Sequence, residues 1–233
     1  MLIRQMYAGE MPQLVMFDLD GTLVDSVPDI ATATDQMLEA LGKPPAGIGK
    51  TRLWIGNGVA VLVQRALRDA DFDDWANDTS SDGFQKAKAL FDEAYDESCG
   101  QFSTVYDGVY GFLNALNRSG VTMAVITNKS ERFTGNLLEQ RGLADYFSMV
   151  ICGDSLPEKK PNPAPLLHVL SRFDVPAEQA LMVGDSRHDI AAAKAAGVKC
   201  VAVPYGYNHG EPVEGFAPDT VVENLKELIA VDI

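Results

Sequence analysis

Residues Phe17 to Ser26 read FDLDGTLVDS, an apolar strand-like run (Leu14-Val15-Met16-Phe17) that stops abruptly at two acids, Asp18 and Asp20, and a Gly-Thr turn. Two carboxylates this close at the mouth of a buried strand each disfavour the other's charge, and burial disfavours both. Such a pair calls for a cation, a shared proton or both. It places chemistry at the carboxyl end of a strand, and the fold must hold that end open to a ligand.

The rest of the chain is consistent with that demand. After the first strand, Pro28 to Leu41 has the apolar spacing of a helix, stopped by Gly42 and the Lys43-Pro44-Pro45 break. Further helices are expected over Gly58–Asp69 and Asp82–Cys99, with no convincing strand between residues 28 and 100. From Gly108 the pattern becomes regular. Strands are expected at Val121–Ile126, Met149–Cys152, Ala180–Val183 and Lys199–Val203. Helices are expected at Gly108–Arg118, Glu131–Arg141, Pro163–Arg172, Asp189–Ala196 and Val221–Ile229. Alternation of this kind predicts an α/β fold, a doubly wound parallel sheet. Residues 1–27 and 101–233 form the expected core, and residues 28–100 a small helical cap inserted after the first strand. An insertion there sits over the carboxyl ends of the strands, where ligands bind in open α/β sheets. Residues 1–11 read as a loose leader.

Composition narrows the function. The net charge of −14 opposes nucleic-acid and anionic-membrane binding at long range. A local cationic site can still hold a small anion, because the global field is screened. The leader lacks the apolar core of a signal peptide, and no apolar run approaches the ~20 residues of a membrane span. Cys99, Cys152 and Cys200 are odd in number and have no zinc-type spacing, which fits a reduced, cytoplasmic setting.

Polar residues collect at the ends of the expected strands: Asp18 and Asp20, then Thr127-Asn128-Lys129, then Lys160 in EKKPNPAP, then Gly184 to Asp189 in GDSRHD. In a parallel sheet these ends face one way. The four segments, in this order and strand context, resemble the motifs of the haloacid dehalogenase superfamily. DLDGTLVDSVPDI, WIGNGVAVLVQRAL, KKPNPAPL, VGDSRHDI and YGYNHGEP resemble its phosphoglycolate phosphatase branch.

The resemblance implies a Mg2+-dependent phosphate monoester hydrolase whose substrate is a small phosphorylated metabolite, 2-phosphoglycolate foremost. It implies Asp18 as nucleophile, giving an aspartyl-phosphate, and Asp20 as the acid and base that serves the leaving group and then water. Asp18, Asp185 and the backbone carbonyl of Asp20 are the implied Mg2+ ligands. Thr127, the Asn128 backbone and Lys160 are the implied phosphoryl contacts, and Asp189 orients Lys160 or a metal-bound water. The haloacid dehalogenase reaction itself is disfavoured, because it uses neither an acid at Asp20 nor a magnesium site.

Each residue has a plainer alternative. Asp18 and Asp20 suit a turn, Thr127-Asn128 and Asp189 suit helix caps, and one of Lys159 and Lys160 is expected to be solvated. In the cap, Gly56-Asn57-Gly58 either brings backbone amides to a small carboxylate or is a tight turn before a helix. Arg52 is a candidate anion contact alongside Arg65, and a surface arginine is the plainer reading of each. A sugar phosphate, nucleotide or pyrophosphate phosphatase, a β-phosphoglucomutase, or a catalytically silent binding protein would share this core. Sequence leaves monomer and homodimer open.

Overall fold

The computed structural model describes residues 1–230. The first element, α1 (Leu2–Met6), corrects the expectation of a loose leader. Its Ile3 is fully buried in the core, and just beyond it the Tyr7 hydroxyl donates to the Ala180 carbonyl at 2.7 Å. Ile3, with Leu2, Met6 and Tyr7 packed against the same core, secures a segment too short and polar to read as structured.

A two-residue ribbon brackets the cap: β1 (Leu14–Phe17) is followed by β2 (Val24–Asp25), which pairs antiparallel with β3 (Thr104–Val105). Between them run α2 (Val27–Ala40), α3 (Gly47–Trp54), α4 (Val59–Asp69), α5 (Asp73–Asn77) and α6 (Asp82–Ser98). Helices α2 and α6 pack side by side, and α3 and α4 close over them. Sequence reasoning missed α3, whose GIGKTRLW stretch is glycine-rich, and α5, which lies in the acidic stretch between the two expected helices.

The core continues through α7 (Val109–Arg118), β4 (Thr122–Ile126), α8 (Glu131–Gln140), β5 (Met149–Ile151) and α9 (Ala164–Phe173). It ends with β6 (Ala180–Gly184), α10 (Arg187–Ala196), β7 (Lys199–Ala202) and β8 (Thr220–Val221). The helix expected over Val221–Ile229 is instead β8 plus a 3-10 turn at Leu225–Leu228. Asn224 and Glu227 form a reciprocal capping box there, which tightens the segment into one turn.

Strands β5-β4-β1-β6-β7-β8 form one six-stranded sheet, parallel at every pairing. Successive residues of β1 face opposite clusters, Val15 and Phe17 one, Leu14 and Met16 the other. Both faces are therefore buried, as a sheet flanked by helices requires. Strand β1 is central, and the chain winds away from it in both directions, which opens a crevice at the carboxyl ends. Phe17 lies opposite Val125 on one side and Val183 on the other. That register sets Asp18 flush with Ile126 and Gly184, one residue short of Thr127 and Asp185.

Candidate active site

The crevice is organised around one buried ammonium. Lys160, 2 % exposed, donates to Asp18 Oδ1 at 2.8 Å, Asp189 Oδ1 at 2.7 Å and the Ile126 carbonyl at 2.5 Å. Burial opposes its charge, but Asp18 and Asp189 outweigh burial and hold Lys160 above the ordinary lysine range. Lys159 points the other way, exposed, and donates to the Asn57 carbonyl at 2.8 Å.

Asp18 accepts the Leu19 N–H at 2.8 Å as well as Lys160. Burial pushes its carboxyl up to about 7, with Lys160 pulling down and Asp189 pushing up. Asp185, 2 % exposed, is raised well above the carboxylate range by burial, then by Asp18 and Asp189. It accepts from Thr22 Oγ1 at 2.9 Å and from the Tyr207 N–H at 2.6 Å. Gly21 (φ +91°) and Gly206 press against its carboxylate, and a Cβ at either would lie within 2.4 Å of Asp185 Oδ2. Carboxylate oxygens of Asp18, Asp185 and Asp189 lie within 4.8 Å of one another. Three acids this close and this buried fit a hard divalent cation. Both oxygens of Asp189 are already committed, one to Lys160 and one to the Ser186 N–H and hydroxyl. Asp18 and Asp185 are thus the two better placed to take a metal. Asp189 holds Lys160; the N-cap of α10 is Ser186 and not Asp189 as the plainer reading had it, and Asp189 sits in the first turn, where it closes a capping box on Ser186.

Asp20 lies apart from this cluster. It accepts from the Ser26 hydroxyl at 2.6 Å and sits 3.3 and 3.4 Å from the Lys129 ammonium. Thr127, 3 % exposed, faces the same cavity, its Oγ1 accepting the Lys129 N–H. The Asn128 side chain donates to the Gly56 and Lys160 carbonyls, both at 3.0 Å, and so ties core to cap.

The cavity above Asp18 and Asp20 is small, about 50 Å³. The cap walls it with Ile30, Ile55, Val59, Leu62, Phe91 and Tyr95, with Gly56 and Gly58 at its edge. The other cap candidates lie outside this lining. The Arg52 guanidinium donates to the Tyr205 and Gly206 carbonyls at 2.7 and 3.1 Å. Arg65 is taken by the Trp54 carbonyl and Asn57 Oδ1. Asn57 Nδ2 faces His188 Nε2 at 2.9 Å. Cap polarity is thus spent on bracing the cap, through Arg65, and on holding it to the core, through Arg52 and Asn57. Sequence reasoning left Lys129, Tyr95 and Tyr207 without roles. Lys129 stood beside Thr127 in VITNKS, a usable signal, whereas Tyr95 is indistinguishable from a core aromatic in α6.

The sequence profile of the haloacid dehalogenase-like hydrolases matches residues 15–203. The chain belongs to this family. Phosphoglycolate phosphatase 1 of Pseudomonas aeruginosa is 52 % identical over 223 residues, covering 96 % of this chain and 80 % of its own. Phosphoglycolate phosphatase of Nitrosococcus oceani is 45 % identical over 217 residues, 93 % of this chain and 95 % of its own. A crystal structure of a predicted phosphoglycolate phosphatase from Haemophilus somnus superposes with TM-score 0.87 at 37 % identity, covering 93 % of this chain and 96 % of that one. The polar residues that carry the resemblance lie at the ends of β1, β4 and β6 and before α9.

Proposed function

We propose that this protein hydrolyses 2-phosphoglycolate to glycolate and phosphate, with Mg2+, through an aspartyl-phosphate on Asp18. The observation that carries the reading is Asp18 itself, a largely buried carboxylate gripped by Lys160, set beside Asp185 and facing a small cavity that also holds Asp20.

Asp18 attacks phosphorus and the ester P–O bond breaks, while Asp20 gives its proton to the departing oxygen. Asp20 then takes a proton from the water that attacks the phosphoenzyme, and Asp18 is released with inorganic phosphate. Lys160 and Thr127 hold charge on the transferring oxygens. Asp189 fixes Lys160 in place, and Thr22 and the Tyr207 amide fix Asp185. Asp18, Asp185 and the Asp20 carbonyl would hold Mg2+, which would supply positive charge to offset these acids against the phosphate dianion.

The cap lining favours a very small ester. A sugar or nucleoside carries hydroxyls that want polar partners, and the cap side of the cavity is aliphatic and aromatic. The test is a panel of phosphate esters assayed with Mg2+ and again after chelation. Hydrolysis of 2-phosphoglycolate well ahead of sugar phosphates and nucleotides, lost on chelation, is expected. A faster rate on either rival class overturns the reading.

A further inference from the structure

We propose that Lys129 is the residue that selects the substrate by binding its carboxylate, an inference that rests on the function proposed above. The cavity must neutralise a second anion if its substrate carries one. Among the described residues, Lys129 is the one cation in the cavity lining. Lys160 is held at the reacting end of the site by Asp18, Asp189 and the Ile126 carbonyl, where its charge serves the phosphoryl group. Arg52, Arg65 and Lys159 are committed to carbonyls or to Asn57 outside the lining.

Lys129 is different. It is 6 % exposed, donates to the Tyr95 hydroxyl, and lies 4.6 Å above the Tyr95 ring. Its contacts to Asp20, at 3.3 and 3.4 Å, are longer than the ~2.8 Å of a close charge-assisted bond. Both long contacts go to one carboxylate, so a substrate carboxylate can take over one of them without stripping Asp20 of its cation.

The position also matches the chemistry of one substrate class. Asp20 serves the leaving oxygen, and Lys129 lies against Asp20. In a 2-phospho carboxylic acid a single carbon separates the leaving oxygen from the carboxyl carbon, so the carboxylate falls beside the residue that protonates the ester. Longer esters carry their polar groups past Lys129 into the apolar wall of Ile55, Leu62 and Phe91. Tyr95 belongs to cap helix α6, so the closed cap is what holds the cation over the cavity.

The test compares kcat/KM for 2-phosphoglycolate with that for ethyl phosphate, which keeps the leaving oxygen and the carbon and lacks the carboxylate. The ratio of the two is independent of how much of a preparation is folded. In Lys129→Met the ratio is expected to fall about 100-fold, the loss typical of stripping one partner from a buried charge pair. A ratio preserved within about threefold overturns the inference while leaving the proposed function standing. A wild-type protein that does not prefer 2-phosphoglycolate overturns the proposed function first and this inference with it. If Lys129→Met turns over neither ester, Lys129→Arg decides: a retained preference supports a cation at this position, and a lost one overturns it.

Discussion

Asp18 is a carboxyl group whose ionisation its buried surroundings resist, and that resistance is measurable. With burial holding it up at about 7 against an ordinary 3.8, the folded chain binds a proton that the unfolded chain releases over this interval. Its contribution therefore destabilises the metal-free protein as pH rises from about 4 to about 7, and is constant above. Asp18→Asn removes that titration. In chelator, thermal melting of the variant relative to wild type should be more favourable at pH 8 than at pH 5, and an equal difference at both would contradict the account. The same variant should lose turnover by at least ~10⁴-fold, the scale of a missing nucleophile. Lys160→Met goes the other way in stability. It leaves Asp18 and Asp189 buried without their cation, and should cost about 3 kcal/mol by denaturant unfolding as well as the activity.

At the scale of elements, the base of the cap is pinned by a buried acid that lies within DLDGTLVDSVPDI but drew no role from the sequence. Asp29 in α2 is fully buried and accepts the Gly100 and Phe102 N–H groups at 2.7 and 2.6 Å, where the chain leaves α6 for the core. The Ser98 hydroxyl donates to the Asp29 carbonyl at 3.1 Å. Asp29→Ala strands both amides and should cost about 2 kcal/mol in urea unfolding. No loss would mean the base of the cap is held by packing alone. Asp29 was hidden because an acid near a helix start is ordinary in sequence. The strand ends were legible for the opposite reason: Leu14–Phe17 and Ala180–Val183 are unbroken apolar runs, and each run stops at a polar cluster. Elements with a weak local signal were not legible. They include α1, secured by Ile3, the β2–β3 ribbon of two residues a side, and α3, whose glycines argue against a helix. Lys160 over Lys159 was read from its proline neighbour, whereas Lys129 has meaning only once Tyr95 and Asp20 are seen on either side of it.

Across the whole molecule, cap position and site assembly are one problem, because the loop that holds Asp185 is the loop that the cap grips. The Tyr207 amide donates to Asp185, while its hydroxyl donates to Asp25 at 2.5 Å and accepts the Ser26 N–H at 2.8 Å. Arg52 of α3 reaches across to the Tyr205 and Gly206 carbonyls, its guanidinium 5.2 Å from the Tyr207 ring. His209 adds a bond from Nδ1 to the Leu53 carbonyl at 3.0 Å. Losing Arg52 should therefore loosen α3 and the 205–210 loop together, although Arg52 does not line the cavity. Arg52→Ala is expected to raise amide hydrogen exchange in residues 47–54 and 205–210 while leaving α9 unchanged. It should also lower kcat/KM about 10-fold, since small displacements of positioned groups are costly to catalysis. Faster exchange in α3 alone, with kcat/KM intact, would separate the cap from Asp185 and break the coupling drawn here. Faster exchange in both segments with reduced kcat/KM would show that closing the cap and setting the acid are the same event.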